Sequence, residues 1–448
     1  MIQCPTTRGF RVFGLVWFGQ LVSLIGSGLT GFALSVWAYQ AKDSATAYTL
    51  IVLATMGPNA LLSLVAGPFV DRWDRRWVMI LSDTGAGLCT LTVFLLLSSQ
   101  QFALWPILLA TAANSAFSAF QWPAYAASTA LLVPKEHLGR ANGLVQLAQG
   151  LSYLIPPALA GFLMSKIQVE GIILIDFATF AFAILTLLFI RIPKPATSKE
   201  ETIKGSWWHE FIYGTTYLTK RPGLMGMLIL FSMLNFLLGF ILSLFGPMVL
   251  AFTDADTLGA MTTIGATGML FGGGLMSIWG GPKRRIHGVL GGLMLAGLAL
   301  SLGGLHPSTI LITAAAFGFF ACFAIVGASS DAIWQSKVAP DVQGRIFGTR
   351  STIATLSMIP AYALAGPLAD RVFEPLLVTG GPLVKSIGQI IGVGPGRGIG
   401  LIFIAAGILT TLTTLGAYLH PRIRLVEDEL PDAAANQSIN NSDKMVIQ

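Results

Sequence analysis

Long apolar runs alternate along this chain with short polar breaks, and within the runs apolar and polar residues do not alternate one by one. A helix needs about 20 apolar residues to cross the hydrocarbon core of a bilayer. Twelve runs of that kind lie at residues 12–38, 48–70, 78–98, 103–125, 141–165, 170–190, 223–251, 257–280, 287–305, 308–333, 347–369 and 398–419. Helices rather than strands follow, because an open sheet edge has no hydrogen-bond partner in lipid and barrel strands are short and two-faced. The pattern predicts an all-α polytopic membrane protein. The first run is too long for the apolar part of a cleavable leader and is followed by no convincing cleavage site, so none is expected.

Composition agrees: of 448 residues, 54% are hydrophobic and 11% charged, where soluble proteins carry about a quarter charged. The net charge of +6 changes the picture only through its placement. Of 27 Lys and Arg, all but Lys42, Lys166, Arg371, Lys385 and Arg397 fall on one side of the twelve spans. Basic residues collect on the cytoplasmic side, which predicts both termini inside and removes the reason to expect a nucleic-acid partner. Cys4, Cys89 and Cys322 are dispersed, with neither metal spacing nor a disulfide framework. The five histidines are scattered, and no phosphate-binding loop or nucleophile–base set occurs. We expect no enzyme, no metal and no cofactor.

The two halves repeat. LLVPKEHLGRANG at 131–143 leads through a helix to ALAGFL at 158–163, and KVAPDVQGRIFG at 337–348 leads to ALAGPL at 363–368. Internal repeats in a helical membrane protein point to a transporter of two related bundles with the substrate between them. The expected division is a six-helix bundle over 1–192, a cytoplasmic linker over 193–222, a second bundle over 223–420 and a disordered cytoplasmic tail over 421–448. Within the linker, Ser206 to Lys220 has the pattern of a surface helix. A second likeness, GPFVDRWDRR at 67–76 and GPLADRVFEP at 366–375, breaks this offset: Asp71 ends a span on the inner side and Asp370 ends one on the outer side. In the repeat GPLADR pairs instead with ALAGFLMSK of span 5.

GPFVDRWDRR resembles the Gly-x-x-x-Asp-Arg-x-Gly-Arg-Arg loop between helices 2 and 3 of the major facilitator superfamily. The likeness extends to the twelve spans and the half-chain repeat. Within that superfamily, WFGQLVSLIGS (17–27), VDRWDRRWVMILSD (70–83) and LLVPKEHLGRANG (131–143) resemble the drug-efflux branch that contains macrolide and siderophore exporters. The resemblance implies a gating motif of Gly67, Asp71, Arg72, Asp74, Arg75 and Arg76. In it Asp71 latches the start of span 11, at GRIFG (344–348), and the arginines restrain the loop and meet anionic lipid. A carboxylate at the positive end of a helix has the right charge for that task. Asp74 replaces the motif's second glycine, and the matching loop of the second half, GGPKRRIHG at 280–288, lacks the Asp-Arg pair. Span 4 lacks the arginine that many proton-coupled relatives carry there. SYLIPPALAG at 152–161 resembles a degraded antiporter motif, with Ser152, Pro156, Pro157, Ala160 and Gly161 at its positions, and suits a helix-packing seam.

Carboxylates within spans are costly and mark function or pairing. Asp83, in span 3, is expected to pair with the loop arginines; Asp176 and Asp331 are candidates for coupling, Asp331 with Lys337 within reach. By superfamily analogy spans 1, 4, 7 and 10 line the cavity. They offer Gln20, Ser23, Asn114, Gln121, Asn235, Trp334 and Gln335, and span 5 adds Gln146 and Tyr153. These neutral groups in an apolar setting suit a bulky amphipathic molecule, and no Lys or Arg is expected within the membrane to hold an anion. The loop at 372–398 is long and apolar, either folding back on the membrane or covering the cavity. The expected protein is a monomeric, secondary-active exporter in the bacterial inner membrane, among its lipids, exchanging a small amphipathic compound for protons. An importer or lipid flippase of the same fold, or a receptor or scaffold that transports nothing, are the competing readings.

Overall fold

The computed structural model of the chain describes residues 6–99, 103–134, 137–190, 207–340 and 342–429, and among these there is no strand. The helices of the first half are α1 (Thr6–Lys42), α2 (Ala45–Arg72), α3 (Arg75–Ser98), α4 (Leu104–Leu132) and α5 (Leu138–Phe189). At 52 residues α5 is far too long for one crossing. Its backbone breaks at Gln168, where φ is 57°, and the break divides it into two membrane-length arms. Lys166 and Glu170 flank that point, so the chain reverses where polar groups can stay solvated. A short helix, α6 (Trp207–Thr219), lies where the linker was expected to form one.

The second half holds α7 (Pro222–Leu250), α8 (Ala255–Trp279), α9 (Arg285–Leu305), α10 (Thr309–Lys337) and α11 (Gln343–Leu368). After α11 come a π-turn (Ala369–Phe373), the short α12 (Glu374–Leu377) and α13 (Gly388–Ile391), then α14 (Arg397–Leu419), α15 (Pro421–Arg424) and α16 (Val426–Glu429). Among the described residues, ten helices are long and apolar enough to cross a membrane. Counting α5 twice and adding the more polar, 29-residue α4 gives the twelve expected crossings. Leu15, Phe18, Leu109, Ile278, Leu295 and Leu419 are among many large apolar side chains left exposed, as a lipid-facing surface requires.

The chain forms two compact units. The first is Met1–Glu200 with Ser243–Thr263 and Tyr362–Asp370; the second is Glu201–Leu242, Ile264–Ala361 and Arg371–Gln448. The first unit therefore contains one end each of α7, α8 and α11 besides the first half. Inside it α1 packs along α5, and α4 packs against α2 and α3. Trp17 Nε1 of α1 donates to the Leu144 carbonyl of α5 at 2.7 Å. In the second unit α9 packs between α10 and α14, around a core that includes Leu224, Met227, Ile333 and Trp334.

One expectation needs correcting here. The tail is ordered through Glu429: Val426 is buried in the second unit's core, Glu427 accepts from the backbone N–H of Ile286 at 2.9 Å, and Lys337 Nζ donates to the Glu427 carbonyl at 2.6 Å. A carboxylate at the first turn of α9 meets the positive end of its dipole, which is why this acidic stretch docks. Residues 430–448 lie outside the described residues. The loop at 372–398 packs within its own unit. Glu374 accepts from the N–H groups of Gly396 at 3.2 Å and Ile399 at 3.0 Å, capping α14. The buried Arg397 donates to the carbonyls of Leu305, at 3.4 Å, and Ile391, at 3.0 Å.

Candidate functional site

Helical periodicity brings residues seven apart to one face, two turns or about 10 Å from each other. Three helices of the first unit use that spacing for polar groups: Gln20 and Ser27 on α1, Asp83 and Thr90 on α3, Asn114 and Gln121 on α4. At one level Asp83, 3% exposed, accepts from Gln20 Nε2 at 3.2 Å and Gln121 Nε2 at 3.1 Å. Gln121 Nε2 also donates to Gln20 Oε1 at 2.8 Å. At the other level Asn114 Nδ2 donates to the Ala86 carbonyl at 2.9 Å and to Thr90 Oγ1 at 3.1 Å. Ser27 Oγ donates to Asp176, on the second arm of α5, at 3.3 Å. Asp176 is 1% exposed, and Thr179 Oγ1 lies 3.4 Å from its Oδ1.

Neither Asp83 nor Asp176 forms an ion pair among the described residues. The arginines expected beside Asp83 turn elsewhere. Arg75 donates to the Ala127 carbonyl of α4 at 3.0 Å. Arg76 reaches the Leu187 and Leu188 carbonyls at 2.9 and 2.8 Å, satisfying acceptors that the last turn of α5 leaves open. Asp74 explains its place in the motif: it is the N-cap of α3, accepting from the Arg76 N–H at 3.0 Å. A glycine there would lose that bond, at a cost of roughly a few tenths of a kcal/mol, since glycine is itself a tolerated N-cap. Gly67 lies within α2. The side chains of Asp71 and Arg72, and so the expected latch, lie outside the described residues.

Gln121 Oε1 is buried with no donor. An acceptor left unsatisfied in the interior costs about 1–3 kcal/mol, and an amide can exchange its two ends by rotation. The cluster thus has donors for an ionised Asp83 and a spare acceptor for a protonated one. It can satisfy both states of the carboxyl group.

The remaining expected cavity residues scatter. Ser23 is buried on α1, whereas Gln146 and Tyr153 are exposed on α5, Tyr153 by 73%. Asn235 donates to the Phe231 carbonyl of its own helix at 2.8 Å and borders a cavity of about 60 Å³ in the second unit, lined also by Leu234, Leu293, Phe319, Phe323 and Thr410. Such a void holds a few waters at most, far less than a bulky ligand. Trp334 is a core residue, 1% exposed, rather than a lining one. Gln335 is exposed, and its carbonyl accepts from Gln343 Nε2 at 3.0 Å.

Asp331 does not pair with Lys337, which is held by Glu427. Its partner is Arg350 of α11 at 2.8 Å, with the Asp331 side chain 57% exposed. The Arg350 guanidinium also lies 5.2 Å from the Trp334 ring and 5.9 Å from that of Phe231. Arg350 falls inside the run read as span 11, where no basic residue was expected. The motif on the first arm of α5 is a packing seam. Ser152 Oγ bonds the Gln149 carbonyl at 2.8 Å, Pro156 and Ala160 are buried, and Thr263 of α8 donates to the Leu154 carbonyl near Pro157 at 3.0 Å. A Cβ on Gly161 would lie 2.6 Å from the Ala255 carbonyl oxygen, so only glycine lets α5 and α8 approach this closely.

Comparison with known proteins follows this geometry. Residues 16–362 match the Major Facilitator Superfamily. Macrolide efflux protein A of Streptococcus pyogenes is 29% identical over 369 residues, covering 80% of this chain and 90% of that one. Enterobactin exporter EntS of Escherichia coli O1:K1 is 24% identical over 428 residues, covering 93% and 95%. Among solved structures, a bacterial homologue of the human lysosomal transporter Spinster superposes with a TM-score of 0.68 at 14% identity, over 92% of this chain and 96% of that one. The nucleoside transporter NupG superposes with a TM-score of 0.66 at 13% identity, over 91% and 99%. These likenesses show a shared fold.

Proposed function

Since this chain belongs to the Major Facilitator Superfamily, we propose that it is a secondary-active exporter of hydrophobic or amphipathic compounds, macrolide-like drugs or siderophore-like natural products, working by alternating access in exchange for protons. It resides in the inner membrane of a bacterium, with both termini inside. The names of the relatives support export and the class of compound. The observation that carries the coupling is the pair Asp83 and Asp176: two buried carboxyl groups held only by amides and hydroxyls. With no fixed positive charge to hold it ionised, such a group is free to take up a proton from one side and release it to the other. Gln146, Tyr153 and Gln335, being exposed, remain available to a bulky ligand, while Gln20 and Gln121 serve Asp83. Asp71, at the end of α2, is assigned the inner latch, accepting from the start of α11 when the cavity faces outward.

The test is accumulation of macrolides, peptides and siderophores in a bacterium stripped of its own exporters. Expression lowers accumulation of at least one compound, and a protonophore or Asp176→Asn restores it. Lowered accumulation that persists unchanged under both treatments would refute proton exchange.

A further inference from the structure

The sequence likeness between GPFVDR and GPLADR, which the half-chain repeat does not explain, finds a physical counterpart in the first unit. There Asp370, in the π-turn that ends α11, accepts three hydrogen bonds from the start of α2: Ser44 Oγ at 2.6 Å, the Ala45 N–H at 3.0 Å and the Thr46 N–H at 2.9 Å. Ser44 is the N-cap of α2 and accepts in turn from the Ala47 N–H at 3.3 Å. The first amides of a helix have no partner within it. Those of α2 are satisfied by a residue more than 320 positions away. Gly366, one turn before Asp370, packs on Thr46, where a Cβ would collide with the Thr46 backbone and with Thr49 Oγ1. Elsewhere in the same unit Gly246 of α7 lies on the Tyr48 hydroxyl and Gly259 of α8 on the Pro157 carbonyl. Asp370 is therefore the charged contact in a seam made otherwise of glycines and small polar groups. Its donors remain satisfiable by water when it leaves, which allows the contact to form and break in each cycle.

We propose that Asp370 is a second gating residue, the reciprocal of Asp71: the end of α11 latches the start of α2 to close the outer side, as the end of α2 latches the start of α11 to close the inner one. One latch is engaged at a time, and their balance sets which side is open. This inference rests on the transporter reading and on the cytoplasmic placement of the termini. Its test needs no substrate, so a protein that exports nothing from the panel still reports on the latch.

The experiment labels intact cells with a membrane-impermeant maleimide. The protein carries Tyr48→Cys, in the seam beneath Gly246, with Cys4, Cys89 and Cys322 replaced by alanine. Asp370→Asn removes a charge-assisted contact, and labelling accelerates roughly ten-fold. Adding Asp71→Asn weakens the opposing latch and brings the rate back toward that of the parent, a reversal that general loosening of the fold would not give. An unchanged rate in Asp370→Asn, or an accelerated rate that Asp71→Asn fails to reverse, overturns the proposal. If Asp370→Asn does not reach the membrane, Ala45→Pro carries the same comparison. It deletes one donor, and Ser44 already holds φ −144° and ψ 124°, the conformation a following proline requires.

Discussion

The first unit buries two carboxylates of its helices, Asp83 and Asp176, whereas the second displays Asp331. Asp83 and Asp176 lie in the interior among glutamine, serine and threonine, without a cation. Asp331 stands more than half exposed against Arg350. A cavity of the second unit is small, apolar and bordered by leucine and phenylalanine. The two units thus differ in chemistry. A buried carboxylate with no cation beside it can exchange a proton. The function proposed above accordingly seeks coupling in the first half.

The largest effects are expected where that contrast is removed. Asp83→Asn and Asp176→Asn keep the shape of the side chain but not its proton, so uphill export falls to background while downhill exchange of the same compound persists. Transport assays with and without an imposed pH gradient separate the two. Gly161→Leu comes next: overfilling the α5–α8 seam costs about 1–3 kcal/mol, read as a lowered melting temperature of the purified protein and loss of export. Arg76→Ala strips two carbonyls of α5 of their donor and lowers stability by about 1 kcal/mol, with export reduced no further than the amount of folded protein. Asp331→Asn is smaller still, under about 1 kcal/mol for an exposed pair, and it leaves uphill export intact. Ala296→Val, which reaches into the void of the second unit, is neutral for transport and stabilises by about 0.5–2 kcal/mol. A loss of export in that variant would show that the void belongs to the substrate path.

Much of this architecture is legible in the chain itself, because span length is a one-dimensional property. The break of α5 at Gln168 coincides with the only polar interruption between two apolar runs. Partner choice was not legible. Gln20, Asp83 and Gln121 are separated by 63 and 38 positions, and only the rotation of three helices about their axes puts them together. Asp83 lies two turns from Arg76 along α3, which invites a pairing; the structure sends that arginine to the end of α5 instead. Arg350 was overlooked because it begins an apolar run, although the aromatic rings that accept it, Phe231 and Trp334, are on neighbouring helices. In the sequence Asp370 is only an echo of Asp71 that the half-chain repeat, aligning it with span 5, does not explain. Only the turn at Asp43 and Ser44, which exposes the first amides of α2, reveals what it meets.

The central claim is that protons move through the first half in exchange for the exported compound. The most direct measurement follows the pH inside proteoliposomes while a gradient of erythromycin, or of whichever compound of the panel is exported, is imposed across them. The unaltered protein and Asp331→Asn should drive protons opposite to the compound, while Asp83→Asn and Asp176→Asn let the compound equilibrate with no change in pH. Proton movement that survives in both first-half variants but disappears in Asp331→Asn would contradict the account and place coupling in the second half.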